Sequence, residues 1–277
     1  MGSLTQQPKL PVIHFCEENL KPGTNSWLST RNKTVQALEE YGCFVAVYDG
    51  VSLELHNAIF RASKALYDLD AETKAQISSD TPSHGYVGQE PLVPLYESLG
   101  IENAKTLQGV QKFTNLMWPS GNDFFCETAL SFTKEVSELD QTVMKMISES
   151  YGIQKYYESL LGSTTYLFKL MKYREPKVNE TNIGIIPHTD KSFMSILHQH
   201  QVEGLEIKTK GDLWIPIDPS PSSFIVMAGD ICMIPEELVD DTHPLRYKSF
   251  HHYKFLDFFH SDEGRKSNFP IKDYCGV

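Results

Sequence analysis

An imidazole and a carboxylate two residues apart, His188-Thr-Asp190, form the pair in this chain best suited to grip a metal ion. The 277 residues include ten histidines and 36 acids, so about one His-x-acid pair arises by accident. The chain has one other, His260-Ser-Asp262, in a charged tail with no strand pattern around it, and we read that one as the accident. His188-Thr-Asp190 differs in context. It closes an apolar run, follows Pro187, and leads at short range into the strand-like run 192–199. At a barrel mouth such a pair can share one octahedral metal. A second histidine from across the barrel would complete the two-histidine, one-carboxylate face of a non-haem iron site. By pattern alone the alternative stands equal: a histidine satisfied by hydrogen bonds, with no metal.

Other chemistry-bearing residues read more plainly. His198 and His200 suit a sheet lining better than a surface metal. Cys232 reads as a buried thiol acting as a small hydrophobe. Lys172 and Arg174 read as a solvated strand edge, with an anionic substrate as the sharper alternative. His84-Gly-Tyr86 sits in a stretch, 80–120, rich in Pro, Gly and Ser; we expect a long surface loop that either covers a substrate mouth or simply connects.

These residues need elements to position them. The first half reads as mostly helical after a short strand at 11–15. A helix over 25–41 ends at Gly42, a β run follows at 43–48, and Ser52 caps a helix over 53–69. The longest helix runs over 123–151, with Leu130, Phe132, Val136, Leu139, Val143 and Ile147 as its apolar stripe. From Thr165 the period changes to short β runs at 166–173, 183–186, 193–198, 205–207, 213–217 and 224–227, which suggest a sandwich or jelly roll. Helical signals return at 235–240, with Pro235 early and acids at the positive end of the helix dipole. Phe255, Phe258 and Phe259 give a later helix an aromatic face.

Composition bounds the partners. A net charge of −11 argues against nucleic acid or an anionic membrane. No apolar run approaches the ~20 residues of a membrane span. The start lacks a signal-peptide core, and Gln6 breaks the myristoylation pattern. Five scattered cysteines (Cys16, Cys43, Cys126, Cys232, Cys275) suit free thiols in a reducing compartment, so we expect a cytoplasmic protein acting on a small molecule.

Longer motifs carry a resemblance. Leu10-Pro-Val-Ile-His-Phe15, Ala37-Leu-Glu-Glu-Tyr-Gly-Cys-Phe44, Tyr96-Glu-Ser-Leu-Gly100 and Phe113-Thr-Asn-Leu-Met-Trp118 resemble plant Fe(II)/2-oxoglutarate-dependent dioxygenases. The nearest likeness is to the AOP-like group that modifies glucosinolate side chains. His188-Thr-Asp190, Gly204-Leu-Glu206, Trp214, Gly229-Asp230, Pro235–Asp240 and His243-Pro244 continue it over nearly the whole chain. The resemblance implies an α+β protein: a double-stranded β-helix (jelly roll, cupin-like) with an N-terminal helical region. Three regions are expected: 1–160 mostly helical, 161–233 a partial roll, and 234–277 a helical tail. It further implies His188 and Asp190 as iron ligands, Tyr173 as a hydrogen-bond partner of 2-oxoglutarate, Fe(II) as cofactor, and ascorbate as reductant.

The departures from the family pattern fall after Asp230. A Trp-Ser-Asn-Gly-Arg-like stretch, a His-Arg-Val strand with the distal ligand, and the Arg-x-Ser clamp for the co-substrate carboxylate should follow. None occurs between Asp230 and Pro235. Three strands of ~5–6 residues with their connections amount to ~30–40 residues. The roll is therefore expected to be incomplete after residue 230, so that the strand at 224–227 loses partners its apolar side chains are patterned for. Both flanks match, so this reads as a skipped segment rather than gradual divergence. The sequence carries three functional readings: an impaired dioxygenase, an active one whose site the tail completes, and a non-catalytic metabolite- or partner-binding form. For the second, His243, Arg246, Ser249, His251, His252 and His260 are the candidates. A C-terminal helix with histidines on its wet side is the plainer account.

Overall fold

The computed structural model describes residues 9–79, 81, 84–88, 90–209, 211–232, 247, 248 and 250–276. The expected helical turn at 235–240, together with His243, Arg246 and Ser249, lies outside the described residues. In chain order the elements are β1 (Val12–Phe15), α1 (Asn25–Tyr41), β2 (Cys43–Tyr48), α2 (Leu53–Tyr67), α3 (Ala71–Lys74), β3 (Tyr96–Glu102), α4 (Leu107–Met117) and α5 (Asp123–Ser150). Then come α6 (Tyr157–Ser163), β4 (Leu167–Tyr173), β5 (Met194–Leu197), β6 (Glu206–Lys208), β7 (Trp214–Pro216), β8 (Ser223–Ala228), α7 (His252–His260) and α8 (Pro270–Cys275). They form two compact units, each drawn from three stretches: 1–62, 127–164 and 194–228 in one; 63–126, 165–193 and 229–277 in the other.

The first unit is built on a four-stranded sheet in the order β1-β2-β8-β5. Helix α1 starts where the Thr24 hydroxyl accepts the Trp27 N–H, and stops at Gly42, whose φ of 75° suits a residue with no Cβ. That stop turns the chain directly into β2. β2 pairs antiparallel with β8 from Cys43↔Met227 to Val47↔Ser223, and β8 pairs antiparallel with β5 from Met194↔Ala228 to Leu197↔Ile225. So β8 is a central strand with a neighbour on each edge, although it was expected to lose partners. Its run Phe224-Ile225-Val226 is buried at 0%, 1% and 0% exposure: β2 and β5 take its backbone groups, Tyr48, Phe132 and His198 pack against Phe224, and Ile225 joins an apolar cluster. The hairpin of β6 and β7 delivers Ile215 to the cluster of Leu10, Cys43, Ile217 and Ile225.

The second unit is built on β3 and β4, paired antiparallel from Tyr96↔Tyr173 to Glu102↔Leu167. The expected long loop at 80–120 is therefore corrected: it contains β3 and α4. Leu99 and Ile101 are buried on β3, and α4, capped by Thr106, buries Val110, Phe113 and Met117. The Pro, Gly and Ser content misleads because Gly100 sits inside the strand, where a Cβ would run into the His84 carbonyl. Under β3, the nearly buried Lys74 ammonium pairs with Glu97 at 2.5 Å, and Glu97 also accepts from the Tyr86 hydroxyl at 3.0 Å. His84 pairs with Glu102 at 3.1 Å. His84-Gly-Tyr86 is thus strapped to β3.

Candidate metal centre

β4 ends at Tyr173, and the next strand expected at 183–186 does not form. The Arg174 guanidinium instead grips Glu180 with two bonds of 2.7 and 2.9 Å, and the Lys177 N–H bonds the same carboxylate at 2.7 Å. These bonds hold the Glu180 carboxyl down to about 2 and close a turn around Asn179, at φ 72°. Arg174 is therefore an ion-pair residue, whereas Lys172 is exposed, as expected for a strand edge. Beyond the turn, Ile183 and Ile186 are 54% and 59% exposed. An apolar run becomes a strand only where a neighbour takes its backbone groups, and no β-ladder among the described residues includes 183–186.

This irregular approach presents His188. Its Nδ1 lies 2.9 Å from the Ile186 carbonyl, which we assign as Nδ1–H donating, so Nε2 carries the lone pair. Nε2 lies 3.5 Å from Asp190 Oδ1. Asp190 raises the affinity of His188 for a proton, and the Ile186 carbonyl adds to this. Two cis ligands on metal bonds of ~2.1 Å sit ~3 Å apart, so the pair has the donor types, tautomer and spacing for two positions of an octahedral ion. A third donor is missing: among the described residues no three of His, Cys, Asp and Glu are grouped to hold a metal. The set fits two-thirds of an iron face and does not close it.

What organises this turn is a lysine. Lys191 Nζ donates to Asp230 Oδ2 at 2.6 Å, to Thr189 Oγ1 at 2.7 Å and to the Thr189 carbonyl at 2.9 Å, using all three of its protons. It also stands 4.9 Å over the Phe259 ring of α7. The backbone of 229–231 runs beside 190–193 through Gly229 N–H to Phe193 O (3.0 Å) and Asp230 N–H to Asp190 O (2.9 Å). Gly229 is required here, because a Cβ would strike the Ser192 carbonyl. Sequence reasoning noticed the Gly229-Asp230 pair but not its partner. The available signal was a lone lysine directly after the His-x-Asp motif.

Tyr173 stands in this same unit, half-exposed, with its ring 5.3 Å from that of Tyr96 and against Gly184. His198 belongs to the other unit. It stacks on Phe224 at 4.2 Å and 10°, its Nδ1 meets the Ser223 carbonyl at 3.0 Å, and its Nε2 meets His56 Nδ1 at 2.8 Å. Burial pushes its pKa down to about 4. His198 lines the sheet, as the plainer reading held. Burial pushes the Cys232 thiol up to about 11, as suits an inert small hydrophobe.

Residues 158–254 match the 2OG-Fe(II) oxygenase superfamily, and residues 10–120 match the N-terminal region described as non-haem dioxygenase in morphine synthesis. A probable 2-oxoglutarate-dependent dioxygenase of Arabidopsis thaliana, AOP1.2, is 40% identical over 93% of this chain and 92% of its own length. The chain belongs to the 2-oxoglutarate/Fe(II)-dependent dioxygenase family. A further Arabidopsis thaliana relative, described as a probable inactive 2-oxoglutarate-dependent dioxygenase AOP2, is 29% identical over 100% of this chain and 99% of its own. The fold follows that of JOX2, solved with 2-oxoglutarate, iron and JA, at a TM-score of 0.74 and 19% identity over 98% of this chain and 90% of that one. The α+β jelly-roll class read from sequence thus holds for this chain. Fe(II) and 2-oxoglutarate are the cofactor and co-substrate of its family. The AOP1.2 alignment spans 301 positions, whereas 93% of 277 residues is about 258, so about 40 positions are gaps in this chain. No described helix is long and apolar enough to cross a membrane.

Proposed function

We propose that this chain is a catalytically impaired 2-oxoglutarate-dependent dioxygenase, descended from enzymes that oxidise a small specialised metabolite. In this reading His188 and Asp190 are the two remaining iron ligands, Tyr173 faces the co-substrate, and ascorbate is the reductant of the intact reaction. The observation that carries it is the two-donor site: an imidazole and a carboxylate side by side, with no third ligand grouped with them among the described residues. Bound iron and 2-oxoglutarate would supply the oxidising power; the chain's part is to hold them and exclude water. With two protein ligands, iron exchanges with solvent. Without an arginine for its far carboxylate, 2-oxoglutarate loses ~3–5 kcal/mol, or roughly two to four orders of magnitude in affinity. The test is succinate formation by the purified chain given Fe(II), 2-oxoglutarate and ascorbate. None is expected, and succinate that tracks an added substrate sinks the proposal.

One observation favours a second reading, in which the tail completes the site: the Lys191–Phe259 contact brings α7 against the His-x-Asp turn. His251→Ala and His252→Ala should then abolish succinate formation. Activity unchanged in both variants removes these histidines from the site.

A further inference from the structure

Strand β4 presents an edge that no described strand covers, and its backbone directions are readable. Ser98 of β3 exchanges both backbone bonds with Val87, at 2.9 and 2.8 Å, on the side away from β4. Residues opposite one another in an antiparallel ladder point their N–H and C=O groups either both inward or both outward. The ladder partner of Ser98, Met171, therefore points outward from the pair. The Arg174 N–H, bonded to Leu95 O at 3.0 Å, fixes the same alternation from the strand end. The outward set is Leu167, Lys169, Met171 and Tyr173, whose side chains also share one face. Leu167, Met171 and Tyr173 are 36%, 42% and 48% exposed. A seven-residue edge with Leu167, Met171 and Tyr173 exposed along it and Lys169 between them can serve as a template for another strand.

We propose that β4 of a second copy of this chain adds antiparallel to this edge, joining two β3–β4 pairs into one four-stranded sheet. The edge is complementary to itself. A two-fold axis sets a strand antiparallel to its own copy, and centring it on Leu170 matches outward residues to outward residues. Leu167 then faces Tyr173 of the other copy, Lys169 faces Met171, and Lys172 faces Phe168. Each lysine lies across from an apolar stem. Moving the axis to Lys169 sets Lys169 against its own copy, a like-charge contact that disfavours the slip. The pairing involves neither His188 nor Asp190 but does take in Tyr173, so dimer mass and iron retention are read separately.

Sedimentation equilibrium of the whole chain at micromolar concentration should give twice its 31.5 kDa mass. Met171→Pro removes an outward N–H while sparing the ladder to β3, and Met171→Lys sets a lysine across from Lys169. Each should weaken the dimer at least about tenfold, ~1.4 kcal/mol, with far-ultraviolet circular dichroism unchanged. If the proline variant misfolds, the lysine variant decides. Leu92→Lys, at a site 86% exposed elsewhere, should leave the dimer intact. A monomeric wild-type chain, a dimer that survives Met171→Lys, or one that Leu92→Lys disrupts equally overturns the proposal.

Discussion

Strand β8 and the segment 174–190 come from the same half of the chain, and each contains a short cluster of branched apolar residues (Ile225 and Val226 in one; Ile183, Ile185 and Ile186 in the other), yet they end in opposite physical states. β8 has a neighbour on each edge and buries Phe224, Ile225 and Val226 almost completely. The segment 174–190 contains no strand, shows Ile183 and Ile186 to solvent, and keeps its shape through charges: Arg174 with Glu180, and Lys191 with Asp230. Apolar patterning alone did not make a strand in 183–186. Where a ladder partner exists, burial does the work; where none exists, ion pairs and turns hold the chain.

The largest effect that can break this contrast lies in β8. Phe224→Ala should cost ~3–5 kcal/mol, read as a lower urea midpoint, because it empties a fully covered site beneath His198. A loss below ~1 kcal/mol would show that the sheet is not tightly packed there.

Next comes pH. His198 is neutral in the fold, with a pKa of about 4 against about 6.5 when unfolded, so between these values the unfolded chain binds the extra proton. Stability should therefore be full above pH ~6.5 and fall on the order of 2–3 kcal/mol as pH drops toward 4. His198→Phe should flatten that slope. An unchanged slope would place the acid sensitivity elsewhere.

The charged segment should respond less in global stability and more locally. Asp230→Asn leaves Lys191, only 14% exposed, without its carboxylate, and should cost ~1–2 kcal/mol. Hydrogen exchange should show lost protection at 189–193, and intact protection there would demote the Lys191–Asp230 bond to a passive contact. Smallest of all, Ile183→Ser should shift stability by no more than ~0.5 kcal/mol. A loss of several kcal/mol would mean that the residue is covered in solution.

Much of this was legible where a local rule sufficed. Gly42 and Ser52 mark helix ends by their own chemistry, and α1, β2 and the start of α2 fall at the expected residues. The His188–Asp190 pair was legible for the same reason: two ligand types at fixed short spacing. β3 was hidden because Gly100 serves packing against His84 rather than a turn. The Lys191–Asp230 bond joins residues 39 apart, a distance that no periodicity spans. The strand at 183–186 was misread because it takes a neighbour to make one.

The proposed iron site offers two ligands, His188 and Asp190, where a two-histidine, one-carboxylate face needs three. Iron stoichiometry after anaerobic loading with Fe(II) and desalting tests this most directly, with His188→Ala as the reference. We predict that the wild-type chain retains no more iron than the variant. One iron held per wild-type chain, and lost in His188→Ala, would contradict it.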